Sequence, residues 1–127
     1  MAEWLPSVAE MLVRGYARVA PSERGGYRLA RAVRRLRPRE AWRDAFDTPA
    51  GRLELDLGAY PDCCMALGLY ELDTARVLRR LLRPGDHFID GGANIGYFSL
   101  MAARLVGSIG RVDAFEPQPE NRARLLA

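Results

Sequence analysis

The stretch that most constrains this chain runs from His87 to Ala127. His87-Phe88-Ile89-Asp90 has the composition of a short strand, Gly91-Gly92-Ala93-Asn94-Ile95-Gly96 is a glycine-rich turn, and Tyr97–Leu105 has helical content. Gly107-Ser108-Ile109-Gly110 turns the chain again, Arg111–Glu116 reads as a second strand, and Pro119–Ala127 opens a further helix. Strand, glycine loop, helix, strand, helix is a βαβ unit, and strands joined through a crossover helix lie parallel. The order predicts an α/β fold with a parallel, doubly wound sheet.

The loop has the chemistry of a nucleotide-type site. Glycines at a strand-to-helix turn allow positive φ and close backbone approach. A helix starting near Gly96 offers unpaired N–H groups. Glu116 stands twenty residues past Gly96, at the end of the next strand, where an acid can hold two ribose hydroxyls. The dinucleotide fingerprint G-x-G-x-x-G fails, because its middle glycine falls on Ala93. Asp90, directly before the glycines, would repel a pyrophosphate and suits a ligand with an ammonium group and no phosphate. S-adenosylmethionine, with a methionine ammonium, a sulfonium and a ribose, fits that description. The competing reading is a glycine turn between core elements with Glu116 as a solvated strand end; the joint spacing of Asp90, Gly92, Gly96 and Glu116 favours the ligand.

Three segments carry a family resemblance: Leu82-Arg83-Pro84-Gly85-Asp86, Ile89 through Leu100, and Gly110-Arg111-Val112-Asp113-Ala114-Phe115-Glu116-Pro117. They resemble the FkbM-type S-adenosylmethionine-dependent methyltransferases, with the Gly92–Phe98 and Ala114–Pro117 runs as the specific parts. Gly68-Leu69-Tyr70-Glu71 is similar to a Gly-x-Tyr-Glu segment of the same family, and the resemblance covers about Thr48 to Ala127. It implies a Rossmann-like class I methyltransferase core, S-adenosylmethionine as cofactor, and methyl transfer to oxygen on a small molecule or sugar. It places Asp90, Gly92, Asn94 and Gly96, with Ala93 between them, along the methionine part of the cofactor. Glu116, followed by Pro117, falls on the ribose. Glu71 reads equally as a carboxylate reaching the cofactor or acceptor and as an acid at the start of the next helix. The chain holds only the first two strands of that family's sheet. The expectation is therefore an N-terminal portion, truncated after its second parallel strand, with the cofactor loop but no substrate pocket, no nominated catalytic residue and no turnover alone. A non-catalytic remnant or interaction module stays open as the alternative; a nicotinamide enzyme is disfavoured by Ala93 and Asp90.

Before this part the pattern predicts two helices and a hairpin, dividing the chain into an arginine-rich helical region (1–47) and the methyltransferase-like part (48–127). Leu5, Val8, Ala9, Leu12, Val13 and Tyr16 fall at helical spacing, with Glu10, Arg14 and Arg18 opposite. Ser22 can cap a second helix with Leu29, Val33 and Leu36 inward and Arg28, Arg31, Arg34 and Arg35 outward. Trp42–Phe46 pairs as a hairpin with the strand that carries Leu53, Leu55 and Leu57, around a Thr48–Gly51 turn. Gly58–Tyr70 reads as a loop with one short helical turn. Leu72–Leu82 is helical, with Thr74, Val77, Leu78, Leu81 and Leu82 on one face.

Composition narrows the partners. All 19 basic residues are arginine, against 16 acids, for a net charge of +3. From Arg14 to Arg43 there are ten arginines and only Glu23 and Glu40. Such a segment can bind nucleic acid or an anionic membrane, but the arginines surround two helices and no aromatic residues interleave with them as a stacking platform would require. A solvated face is favoured and no nucleic-acid partner is expected. No apolar run reaches the ~20 residues of a membrane span, and Glu3, Glu10 and Arg14 break any signal-peptide core, so the cytoplasm is expected. Adjacent Cys63 and Cys64 cannot staple a fold and, with one histidine, do not make a zinc site; they read as reduced thiols. His87 lies at the N-terminal end of its strand, away from the ligand end, and reads as structural or solvated. At least one of Tyr97 and Phe98 should pack in the core, and Asp113 reads as a strand-face residue.

Overall fold

A computed structural model describes residues 8–19 and 24–127. The chain is a mixed α/β protein. Its described elements are α1 (Val8–Val19), α2 (Gly26–Arg34), a 3₁₀ turn (Arg39–Ala41), β1 (Arg43–Asp47), β2 (Arg52–Asp56), α3 (Asp62–Leu67), α4 (Leu72–Leu81), β3 (His87–Gly91), α5 (Tyr97–Val106), β4 (Arg111–Phe115) and α6 (Pro119–Leu125). They divide into two compact units: Met1–Thr48 with Arg52–Asp73, and Pro49–Gly51 with Thr74–Ala127.

In the first unit β1 and β2 form an antiparallel hairpin in which Phe46 faces Leu53 and Asp44 faces Leu55. Phe46, Leu55 and Leu57 are buried, as alternation predicts. The centre of this unit is α3, where the sequence suggested a loop with a single helical turn. All six of its residues are buried. A helix enclosed on every side needs no apolar stripe, so the run Cys63–Leu67 carries no 3.6-residue period to read. Asp62 is held in this core by accepting the Asp56 amide at 3.0 Å, which ties the first turn of α3 to β2. Gly68, at φ 72°, closes the helix in the left-handed conformation that glycine adopts without strain.

Three helices present other faces than their patterns suggest. Among the described side chains of α1, Glu10, Val13 and Ala17 are buried, while Val8, Leu12 and Tyr16 are exposed. Glu10 can turn inward because the Arg37 guanidinium meets its carboxylate through two nitrogens, Nη2 to Oε2 at 3.0 Å. A paired charge can be buried where a lone one cannot. On α2 the small residues Gly26 and Ala30 join Val33 inside, and Leu36 is exposed; Gly26 packs on Leu69. The expected cap Ser22 and the stripe member Leu5 lie outside the described residues, and Gly25 occupies the N-cap. On α4, Leu72 and Ala75 are buried, whereas Val77 and Leu81 are exposed. Nor are all the arginines solvated. Arg37 is largely enclosed against Glu10, its side chain 9% exposed, and Arg34 donates to the Leu57 carbonyl at 2.8 Å and lies 4.8 Å from the Trp42 ring.

The second unit is the β3–α5–β4 unit. Its strands pair in parallel, His87 beside Arg111 through Gly91 beside Phe115, and α5 packs across both. Strand alternation turns Phe88 and Asp90 to the α5 side. Ile89 and Phe115 point to the other face and are 63% and 61% exposed. The core is the loop and α5 themselves: Ala93, Ile95, Tyr97, Met101, Ala102 and Val106.

Candidate functional site

The site forms where the carboxyl ends of β3 and β4 meet the loop between β3 and α5. The loop turns through left-handed conformations at Gly92 (φ 83°), Asn94 (φ 53°) and Gly96 (φ 88°). Asparagine is among the few non-glycine residues that tolerate this region. Four amides of the loop are spent inside the chain. Gly92 and Ala93 donate to the Phe115 carbonyl at 2.8 and 3.0 Å, and Gly96 donates to Ala93 at 2.8 Å. The Asn94 amide donates to Glu116 Oε2 at 2.8 Å.

Glu116 therefore sits against the loop. Its other oxygen, Oε1, accepts the Gln118 amide at 2.8 Å, so one carboxylate bridges the loop after β3 and the turn after β4, over the exposed Pro117. Asp90 lies on the α5 side, where its Oδ2 accepts the Ser99 hydroxyl at 2.6 Å. Both carboxylates are half-buried. An ionised carboxylate has about four acceptor positions, so each keeps capacity for donors from a ligand. The result is a rim of two anionic acceptors beside a loop in which the amides of Gly92, Ala93, Asn94 and Gly96 are committed. That chemistry favours ammonium and hydroxyl groups over phosphate, which needs donors.

The glycines divide by role. A Cβ on Gly91 or Gly92 would meet open space, with only the positive φ of Gly92 resisting substitution. A Cβ on Gly96 would come within 2.5 Å of Leu125 Cδ1. Gly96 is buried and serves the close approach of α6 and the N-terminus of α5. Ala93 is buried and Asn94 half-buried. These residues, with Asp90, Glu116 and Pro117, are brought together in the second unit. Glu71 belongs to the first unit, directly before α4, half-buried and with φ 40°. A left-handed glutamate costs on the order of 1–3 kcal/mol.

Ser99 was not singled out by the sequence. Its one signal is a hydroxyl in the otherwise apolar run Leu100-Met101-Ala102 and its aromatic neighbours, which must find a partner once buried. Tyr97 is buried as expected, edge-on to Phe98 with ring centroids 5.3 Å apart. Burial pushes its phenol up to about 12, against the opposing charge of Arg79. His87 is exposed and shares Asp113 with Arg111, at 2.7 and 2.9 Å. These two hydrogen bonds, from Arg111 first and His87 second, hold the Asp113 carboxyl below its ordinary range. The trio is a strand-face network at the end of β3 opposite the loop. In the first unit, Cys63 and Cys64 are buried and neither forms a disulfide. The Cys64 side chain, and secondarily Arg34, hold the Cys63 thiol at about 7 against its burial. Among the described residues no group of histidine, cysteine and acid could hold a metal, and no helix is long and apolar enough to cross a membrane.

Comparison with protein-family models, with curated proteins and with solved structures finds no match for this chain.

Proposed function

We propose that the second unit is the cofactor-binding end of a Rossmann-like, FkbM-type S-adenosylmethionine-dependent methyltransferase acting on an oxygen of a small molecule or sugar. One observation carries the reading: the amides of Gly92, Ala93, Asn94 and Gly96 donate within the chain, while the carboxylates of Asp90 and Glu116 line the rim. A site of that character receives donors and repels phosphate, and it matches the motif resemblance of Ile89–Leu100 and Gly110–Pro117. When bound, S-adenosylmethionine supplies a methyl group activated on a sulfonium. Asp90, held by Ser99, would receive the ammonium, Glu116 the ribose hydroxyls, and the open side of Gly91 and Gly92 the methionine chain. Transfer of this kind rests mainly on holding two reactants in line, which requires few catalytic side chains. The rival reading, a purely structural turn, draws on the bonds from Asn94 and Gln118 to Glu116, which account for that acid without a ligand.

Calorimetric titration with S-adenosylhomocysteine and with 5′-methylthioadenosine, which lacks the amino-acid part, separates the two. The proposal expects Asp90→Asn to weaken the first ligand at least tenfold, about 1.4 kcal/mol, and to leave the second nearly unchanged. Binding of neither ligand would support the structural turn, and an equal loss for both would take the ammonium contact away from Asp90.

A further inference from the structure

α1 is apolar on the side that faces away from its own core. Among its described side chains, Glu10, Val13 and Ala17 are buried. At about 100° per residue, Met11, Gly15, Val8, Val19, Leu12 and Tyr16 fall within one outward arc of about 140°. The five large side chains in that arc are 61%, 73%, 79%, 68% and 49% exposed for Met11, Val8, Val19, Leu12 and Tyr16. A solvated helix puts polar residues on this side. Arg18 stands at the border of the arc and is exposed. The outward face of α2 is cationic, with Arg28, Arg31 and Arg35 exposed. Among the described residues of α1 and α2 the one acid is Glu10, and it is buried against Arg37.

We infer that α1 is an interfacial helix that lies on an anionic lipid bilayer, its outward arc among the acyl chains and Arg18 among the headgroups, with the other exposed arginines of the same unit adding to the attraction. A helix with an apolar face and cationic flanks binds in the interface plane without crossing it. Arginine at the border of such a face can bury its stem and keep its guanidinium at headgroup level. Each cation near an anionic surface adds to the attraction. A second copy of this chain fits less well. A 12-residue helix is about 18 Å long and about 10 Å across, a footprint well short of the ~800 Å² per partner of a stable complex. Two copies would also each carry the chain's net charge of +3, and like charges oppose association.

Co-sedimentation of the 127-residue chain with vesicles tests this. Expected is partition onto equal mixtures of phosphatidylcholine and phosphatidylglycerol, little onto phosphatidylcholine alone, and loss at high salt. Leu12→Gln with Val19→Gln, both at exposed positions, should keep the thermal midpoint and reduce partition at least tenfold. Arg28→Gln, Arg31→Gln and Arg35→Gln together should reduce it several-fold on anionic vesicles. Absence of partition at low salt, or full partition by the Leu12/Val19 variant, would overturn the inference. So would a dimer in analytical ultracentrifugation that the Leu12/Val19 variant turns into a monomer without any vesicle binding.

Discussion

In the first unit α3 buries all six of its residues and Glu10 is 3% exposed against Arg37; in the second, β3 and β4 leave Ile89 and Phe115 mostly open to solvent. The first unit is organised by what it encloses, and a charged pair is part of its interior. The second is organised by backbone conformation, with three left-handed loop residues and a carboxylate bridging two turns. Side-chain deletions should therefore cost most in the first unit, while the sheet face of the second should tolerate them.

The largest effect is expected from Arg37→Ala. It leaves the Glu10 carboxylate in a buried position without its guanidinium, at a cost of about 3–5 kcal/mol. Urea denaturation measures it; a loss under about 1 kcal/mol would mean that the pair is solvated. Met65→Ala should cost about 3 kcal/mol, since the side chain is 1% exposed and its removal leaves a cavity in the middle of α3. A loop residue at that position would give a far smaller loss.

The second unit should answer to pH before it answers to truncation. The Tyr97 phenol is held at about 12 in the fold by burial, against about 10 in an unfolded chain. Its contribution is whole below pH ~10, where both states are protonated, and is lost as pH rises from there through about 12, because only the unfolded state ionises first. The difference between the two states corresponds to about 2–3 kcal/mol. Tyr97→Phe should flatten this alkaline limb in thermal melts, and an unchanged limb would place the dependence elsewhere. The smallest effect belongs to Ile89→Thr on the bare face, within about 0.5 kcal/mol by the same melts; a loss near that of Met65→Ala would erase the contrast between the units.

Legibility followed the same division. The β3–α5–β4 order and its parallel pairing were readable because glycine punctuation and short apolar runs are local signals, set by φ and by strand composition. The hairpin was readable because Leu53, Leu55 and Leu57 alternate. The interior of the first unit was not readable in this way. Burial of Glu10 depends on Arg37, 27 residues away, and α3 is a short apolar run with no period. On α1 the sequence offers two apolar arcs, and only the packing decides that Val13 and Ala17 turn inward while Val8 and Leu12 do not. At the site, Asp90 and Glu116 could be nominated from spacing, but the Ser99 hydroxyl on Asp90 and the commitment of the loop amides come from tertiary geometry.

The central claim is that the loop receives a ligand rich in donors and free of phosphate. Its most direct test is a ¹⁵N amide spectrum of the 127-residue chain, titrated separately with S-adenosylhomocysteine and with a nicotinamide dinucleotide. The account predicts shifts at the amides of Gly91, Gly92, Asn94 and Gln118 with the first ligand and none there with the second. No shift with S-adenosylhomocysteine, or the same shifts with the dinucleotide, would contradict it.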